Sequence, residues 1–285
     1  MGGRGNRDGE RAGRQRAPGG QQAVLRRGDA AVYGVDYGVE IHHDGDLPAR
    51  SGLGSSSSFT VGLLKAIYAQ KGRMVSQNFL AREAIRIEQQ VIGENVGSQD
   101  QIWAAYGGMN RVNFFTDGNF SVVPLVMPPE RRRQLLGHFM LFFTGLSRFA
   151  TEVAGKKIAN LEKHAADIHQ MVAMVDEAQA ILGDPGRDLA DIGRLLHESW
   201  CLKRGLADTV SSDDIDSIYK AGRDAGAVGG KLLGAGGGGF VLFYVEPERQ
   251  QAVREALKPL VEVRFGIDYA GSKIVVYEPN GLESR

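Results

Sequence analysis

Only one cysteine, Cys201, occurs in the 285-residue sequence, which excludes an intramolecular disulfide framework and fits a reducing compartment. No apolar run approaches bilayer length; the longest unbroken one lies around Phe139 to Phe143. The N-terminal arginines precede no apolar core of the kind a secretory signal requires. Neither sign of charge is in excess, with 34 Lys and Arg against 34 Asp and Glu, so no global field draws the chain to nucleic acid or to an anionic membrane. These absences predict a soluble cytoplasmic protein whose partners include neither nucleic acid nor membrane. What is present, 42% hydrophobic and 24% charged residues, suffices to bury a sizeable core in one large or two modest domains.

Residues 1–30 contain eight glycines and seven arginines with almost no apolar periodicity, which predicts a disordered segment. An RNA-binding arginine-glycine tail is the alternative, but the aromatic residues that would stack bases are missing from it. Ordered structure is expected to begin with a strand at "VYGVDYGVEIH", Val32 to His42. Helical spacing of Phe59, Leu63, Ala66 and Ile67 predicts a helix from Ser57 to Ala69, with serines at its N-cap. A second helix is expected from Asn78 to Ile92, closing at Gly93 with Glu88 beside its apolar stripe, and a short one near Asp100. "MNRVNFF" and "FSVVPLV" around "TDGN" read as a hairpin, and "HFMLFFTG" as a buried strand. Helices are predicted over 150–182, 189–206 and 214–225, then a strand at "FVLFYV", a helix at "PERQQAVREALKPL", and strands at "VEVRFG" and "KIVVYEP". This order is α+β, without a repeated βα unit.

Two glycine clusters carry the chemical signal. "GLGSSSS", residues 52–58, runs directly into a predicted helix. Helix N-termini present unpaired N–H groups and a positive dipole end, and glycines let an anion approach the backbone. The stretch is either a phosphate cradle or a capped loop, and it lacks the Gly-Lys-Ser/Thr of a Walker A loop. The second cluster, "KLLGAGGGGFVLFYV", formally holds a G-x-G-x-x-G pattern at Gly234, Gly236 and Gly239. That motif must follow a strand and open a helix, whereas here a helix is expected before and a strand after, so a dinucleotide site is rejected. A backbone passing close to a ligand or to another segment is the reading kept, beside a tight packing crossover.

Phosphoryl transfer needs a metal, a group to orient the acceptor, and donors for developing charge. Asp100 in "GSQDQ" is a candidate to take a hydroxyl proton, and Glu88 to hold Mg²⁺ beside a serine. Arg148, Lys203 and Arg204 are candidates for an acceptor phosphate; each of these acids and bases is otherwise a surface charge.

"PARSGLGSSSSFTVGLL" resembles the second signature of the GHMP small-molecule kinases, and "GGKLLGAGGGGFVLFYV" their third. "IEQQVIGENVGSQDQIWAAYGGMNRVNF", "TGLSRFATEV" and "ESWCLKRGL" resemble the D-glycero-D-manno-heptose 7-phosphate kinase branch, and the likeness runs from Ile41 to Glu278. It implies a ribosomal-protein-S5-like N-terminal domain over 31–130, followed by a ferredoxin-like C-terminal domain over 131–285. It also implies ATP bound by Gly52, Leu53, Gly54, Ser55, Ser56, Ser57 and Ser58, Mg²⁺ held by Ser56 and Glu88, and Asp100 acting on the anomeric hydroxyl. Gly236 and Gly237 would close over the substrate from the third motif. The implied partner is a sugar phosphate, heptose 7-phosphate becoming the 1,7-bisphosphate, and a homodimer is compatible with it.

The family's first signature does not stand ahead of the second, where the chain has about forty Arg/Gly-rich residues. The first strands of the N-terminal domain are thus expected to be missing or replaced. Apolar faces and strand edges would then lie open, which predicts a poorly soluble or inactive product. Alternatives to a heptose kinase are an inactive homologue that binds nucleotide or a partner, and a kinase for another sugar such as fucose.

Overall fold

Residues 39–45, 52–146, 155, 158 and 160–278 are described by the computed structural model. The chain divides into two units, residues 1–49 and 50–285. In the first, residues 39–45 are exposed and hold neither helix nor strand; the rest of the strand expected over Val32–His42, like the segment 1–30, lies outside the described residues.

The second unit opens with helix α1 (Ser55–Gln70), whose buried stripe is Ser57, Val61, Leu64 and Tyr68. Helix α2 (Gln77–Arg86) is capped by Ser76, whose hydroxyl accepts from Phe79 N–H at 3.1 Å. It does not continue as an α-helix to Ile92. A π turn (Ile87–Val91) intervenes, with Ile92 N–H bonded to Ile87 O at 2.8 Å. Helix α3 (Gln99–Tyr106) packs against both α1 and α2. The hairpin β1 (Asn110–Phe114) and β2 (Phe120–Pro124) follows, in register from Asn110 opposite Pro124 to Phe114 opposite Phe120.

Helix α4 (Pro129–His138), on which the sequence reading was silent, leads into β3 (Phe139–Phe143). Helices α5 (Ala165–Gly183), α6 (Ala190–Gly205) and α7 (Asp213–Asp224) precede β4 (Gly229–Leu232) and β5 (Phe240–Tyr244). Helix α8 (Gln250–Ala256) and β6 (Val261–Val263) complete the order. The four-stranded sheet runs β4-β5-β3-β6, every pair antiparallel. First and second strands joined by helices, a hairpin, and a last strand returning beside the first make this half ferredoxin-like, as expected. Alternation along β5 sends Phe243 into one core with Phe142, Trp200 and Tyr219, and Tyr244 into another with Leu135 and Ile181.

Two expectations are corrected. The second glycine cluster is not preceded directly by a helix: β4 enters it and β5 leaves it, so it is the loop of an antiparallel pair. Residues 273–278 form no strand. Among the described residues no neighbouring strand receives their backbone, and Val275 and Val276 stand 78% and 74% exposed.

Glycines set how closely α6 lies on the sheet. A β-carbon on Gly229 would fall 1.8 Å from Gly193 O, so β4 and α6 touch backbone to backbone. That approach carries the C-terminal turn of α6 to the start of the second glycine cluster.

Candidate active site

Helix α1 begins without a serine cap. Its N-cap is Gly54, at φ 70°, a left-handed conformation that costs a residue with a β-carbon. The serines instead occupy the first turn, correcting the expected N-cap placement. The first intrahelical bond is Ser58 N–H to Gly54 O at 2.9 Å, so the N–H groups of Ser55, Ser56 and Ser57 have no carbonyl one turn back. Ser56 and Ser58 are exposed, and Gly52, Leu53, Gly54 and Ser55 are half-buried.

Asp100 stands directly against this helix start. A β-carbon on Gly54 would lie 3.0 Å from Asp100 Cγ and 3.2 Å from its Oδ2. Asp100 is exposed by its surface area, but the backbone of Gly54 crowds its carboxyl, and that local desolvation lifts it above the ordinary carboxylate value. The open surface decides what a substrate hydroxyl can reach, and the crowding decides the proton affinity.

Glu88 is the opposite case, 1% exposed inside the π turn. Its Oε2 accepts from Ser57 Oγ–H at 2.9 Å and from the side-chain amide of Gln101. Among the described residues its Oε1 meets no donor. Desolvation raises the Glu88 carboxyl above its usual range, against the hydrogen bonds of Ser57 and Gln101, which lower it; Thr60 also lies near, but its hydroxyl donates to Ser56 O at 3.2 Å. The serine on Glu88 is therefore Ser57, on the buried stripe, with Ser56 one residue away on the exposed side. A buried carboxylate oxygen without a partner next to a serine hydroxyl fits a hard divalent cation. Among the described residues no cluster of three or more His, Cys, Asp or Glu could cage one, and Mg²⁺ commonly takes one or two carboxylates plus substrate phosphates.

The second glycine cluster meets the first. A β-carbon on Gly234, at φ 66°, would lie 2.7 Å from Gly52 O. Beyond it, Gly237 N–H donates to Val210 O at 2.9 Å, and a β-carbon on Gly236 would come within 2.9 Å of the same residue. Gly239 N–H donates to Leu146 O at 2.8 Å, and its carbonyl accepts from the Thr144 hydroxyl at 2.8 Å. Gly236 and Gly237 thus carry backbone contacts that shape the loop.

Lys203, at the end of α6, is 7% exposed and donates to Leu232 O at 3.0 Å and Gly234 O at 2.6 Å. Its ammonium fastens the loop, a different task from the acceptor-phosphate contact expected of it. Arg204 faces outward and pairs with Asp216 at 3.1 Å. Arg148 lies outside the described residues.

Helix α3 is held at its far end too. Gly108 N–H donates to Asp268 O at 2.7 Å and Ser272 N–H to Ala104 O at 2.9 Å. Sequence reasoning named Ser57 for the nucleotide but not as the buried partner of Glu88, and it missed Gln101 and the Lys203 clamp. The signal for the first two was available: each is the polar member of its helix's buried stripe, Ser57 with Val61 and Leu64, Gln101 with Ile102 and Ala105.

Fold and site define a mixed α+β protein in which a ferredoxin-like half and a glycine-loop half meet backbone to backbone around two acidic side chains. The chain belongs to the GHMP kinase family. The model of the GHMP kinases N terminal domain matches residues 22–108 and that of the GHMP kinases C terminal matches residues 174–260. The chain is 31% identical to D-glycero-alpha-D-manno-heptose 7-phosphate kinase of Campylobacter jejuni over 76% of its own length and 64% of that protein's. It is 26% identical to mevalonate kinase of Pyrococcus horikoshii, over 78% of this chain and 63% of that protein. Among solved structures, a D-glycero-D-manno-heptose 1-phosphate kinase from Bacteroides thetaiotaomicron matches with a TM-score of 0.56 and 27% identity, over 82% of this chain and 66% of that one. The chain therefore spans a little under two thirds of the length of these relatives. No helix among the described residues is long and apolar enough to cross a membrane.

Proposed function

We propose that the protein is an ATP-dependent sugar kinase that phosphorylates the anomeric hydroxyl of a sugar phosphate, D-glycero-D-manno-heptose 7-phosphate giving the 1,7-bisphosphate, in the cytoplasm. The observation that carries this reading is the placement of Asp100 against Gly54, at the start of α1. One carboxylate thereby stands where free N–H groups and a dipole end favour phosphate.

In this reading Gly52 to Ser58 wrap the ATP phosphates, with the Ser55, Ser56 and Ser57 N–H groups as donors. Asp100 orients the sugar hydroxyl and accepts its proton as that oxygen attacks the γ-phosphorus, the bond to the ADP oxygen breaking as the new one forms. Glu88, with the hydroxyls of Ser56 and Ser57, would hold Mg²⁺, whose chemistry is to neutralise charge on the phosphate oxygens. The loop from Gly234 to Gly239 closes the site, kept in shape by Lys203. Arg204, and Arg148 by sequence, are the cations we assign to the sugar's own phosphate. We divide the domains over 31–130 and 131–285; the matched intervals 22–108 and 174–260 fall on either side of that inner boundary, the first starting within residues 1–30.

Heptose is favoured by the similarity to the Campylobacter protein; fucose and mevalonate acceptors are the alternatives, since kinases for these also match at lower identity. A second reading, a non-catalytic homologue that binds nucleotide, is favoured by the unpaired apolar run Ile274 to Tyr277. An ADP-release assay across heptose 7-phosphate, unphosphorylated heptose, fucose and mevalonate separates them. Turnover confined to the phosphorylated heptose is expected. Preference for an unphosphorylated acceptor overturns the substrate, and no turnover with any acceptor overturns the kinase reading.

A further inference from the structure

Gln101 is fully buried, donates its amide to Oε2 of Glu88, and leaves its own Oε1 without a hydrogen-bond partner. As a purely structural choice this is a poor one, because an apolar side chain of the same length would fill the space and orphan no polar atom. Two donors, Gln101 and Ser57, converge on one oxygen of Glu88, and the other oxygen has none. Such an arrangement fixes the rotation of a carboxylate and reserves its second oxygen.

Gln101 also adjoins Asp100 on α3, and successive helical residues point about 100° apart. One residue therefore meets Glu88 while its neighbour meets Gly54. The far end of α3 is tied down by backbone bonds to residues 268–272. At the near end, the Gln101 amide links the helix of the proposed base to the proposed metal carboxylate.

We infer that Gln101 is a positioning residue: it holds Glu88 so that Oε1 stays available to the divalent cation that accompanies the nucleotide. This inference rests on the metal assignment made above.

Partners that orient a metal ligand typically alter affinity by about 10–100-fold when removed. The test is binding of Mn²⁺, followed by electron paramagnetic resonance, to the full chain with a non-hydrolysable ATP analogue, so that no turnover is needed. Gln101→Met keeps the length without a donor; Gln101→Asn keeps the amide one methylene short of Glu88. Both are expected to weaken Mn²⁺ binding by about tenfold or more, and a folded melting transition in either variant suffices for the measurement. If Glu88→Ala loses Mn²⁺ and the Gln101 variants bind it like wild type, the inference is overturned and the metal assignment stands. If Glu88→Ala itself binds like wild type, the assignment fails and takes the inference with it.

Discussion

Three buried polar side chains, Ser57, Glu88 and Gln101, occupy positions that apolar residues would fill on the stripes of their own helical segments. Polar groups survive there only when bonded to one another or to something that arrives later. Helical spacing places two of them on buried stripes, Ser57 four residues before Val61 and Glu88 four after Ala84. The pairing of Glu88 with Ser57 across separate helices was not legible, since it depends on how α1 and α2 pack.

Gly54 offers a sharper residue-level test. Gly54→Ala places a β-carbon at φ 70° and 3.0 Å from Asp100 Cγ. It is expected to destabilise the protein by about 1–2 kcal/mol from the left-handed backbone alone. It should also lower kcat more than it changes nucleotide affinity, read from urea unfolding and steady-state kinetics. Unchanged stability and kcat would show that the helix start relaxes freely. Asp100 adds a pH signature: its carboxyl is raised above 3.8 by burial. The ionised form is the one that accepts a proton, so kcat/KM should rise with pH through an acid limb centred above that value. A limb at or below 3.8 would contradict the assignment.

Among the elements, α6 joins fold to site. Gly193 and Gly229 let it lie on β4, and Lys203 at its end binds two carbonyls of the second glycine cluster. Lys203→Met leaves those carbonyls unpaired and is expected to cost about 1–3 kcal/mol, with kcat reduced as the loop loosens. A lysine that instead only contacted substrate would raise KM and leave urea unfolding unchanged. On the same helix His197 bonds Tyr219 Oη through Nδ1 at 2.9 Å. Burial, then the Arg223 charge, depresses its pKa below 6.5. The native state thus binds fewer protons than the unfolded chain, so stability is present above pH 6.5 and falls as pH drops toward the folded pKa. Melting temperature should decline below pH 6.5 in the wild type and decline less in His197→Gln; equal declines would contradict it.

Element-scale reading of the sequence succeeded where periodicity was long and failed where partners decide. Helices α1, α6 and α7 and strand β5 fall within a few residues of expectation. Strand β4, four residues of "GGKL", has no pattern of its own and exists by pairing with β5. "KIVVYEP" has the β-branched composition of a strand but no strand alongside it among the described residues, and composition cannot supply the ladder. The π turn at Glu88 was equally hidden, because one extra residue per turn leaves the apolar spacing of a short helix nearly unchanged.

At the scale of the whole molecule, the two glycine clusters are far apart in sequence and meet at Gly52 and Gly234. Neither cluster alone indicated that contact; the resemblance of both to one family did. Their meeting, with Asp100 at the helix start beside them, is what the kinase proposal rests on. Its most direct test is ADP release from ATP, Mg²⁺ and D-glycero-D-manno-heptose 7-phosphate by the full chain and by Asp100→Ala, both verified as folded. Sugar-dependent ADP release by the wild type, falling at least about a hundredfold in Asp100→Ala as expected for loss of a general base, is the predicted result. Equal rates in the two proteins, or no sugar-dependent release by the wild type, would contradict it.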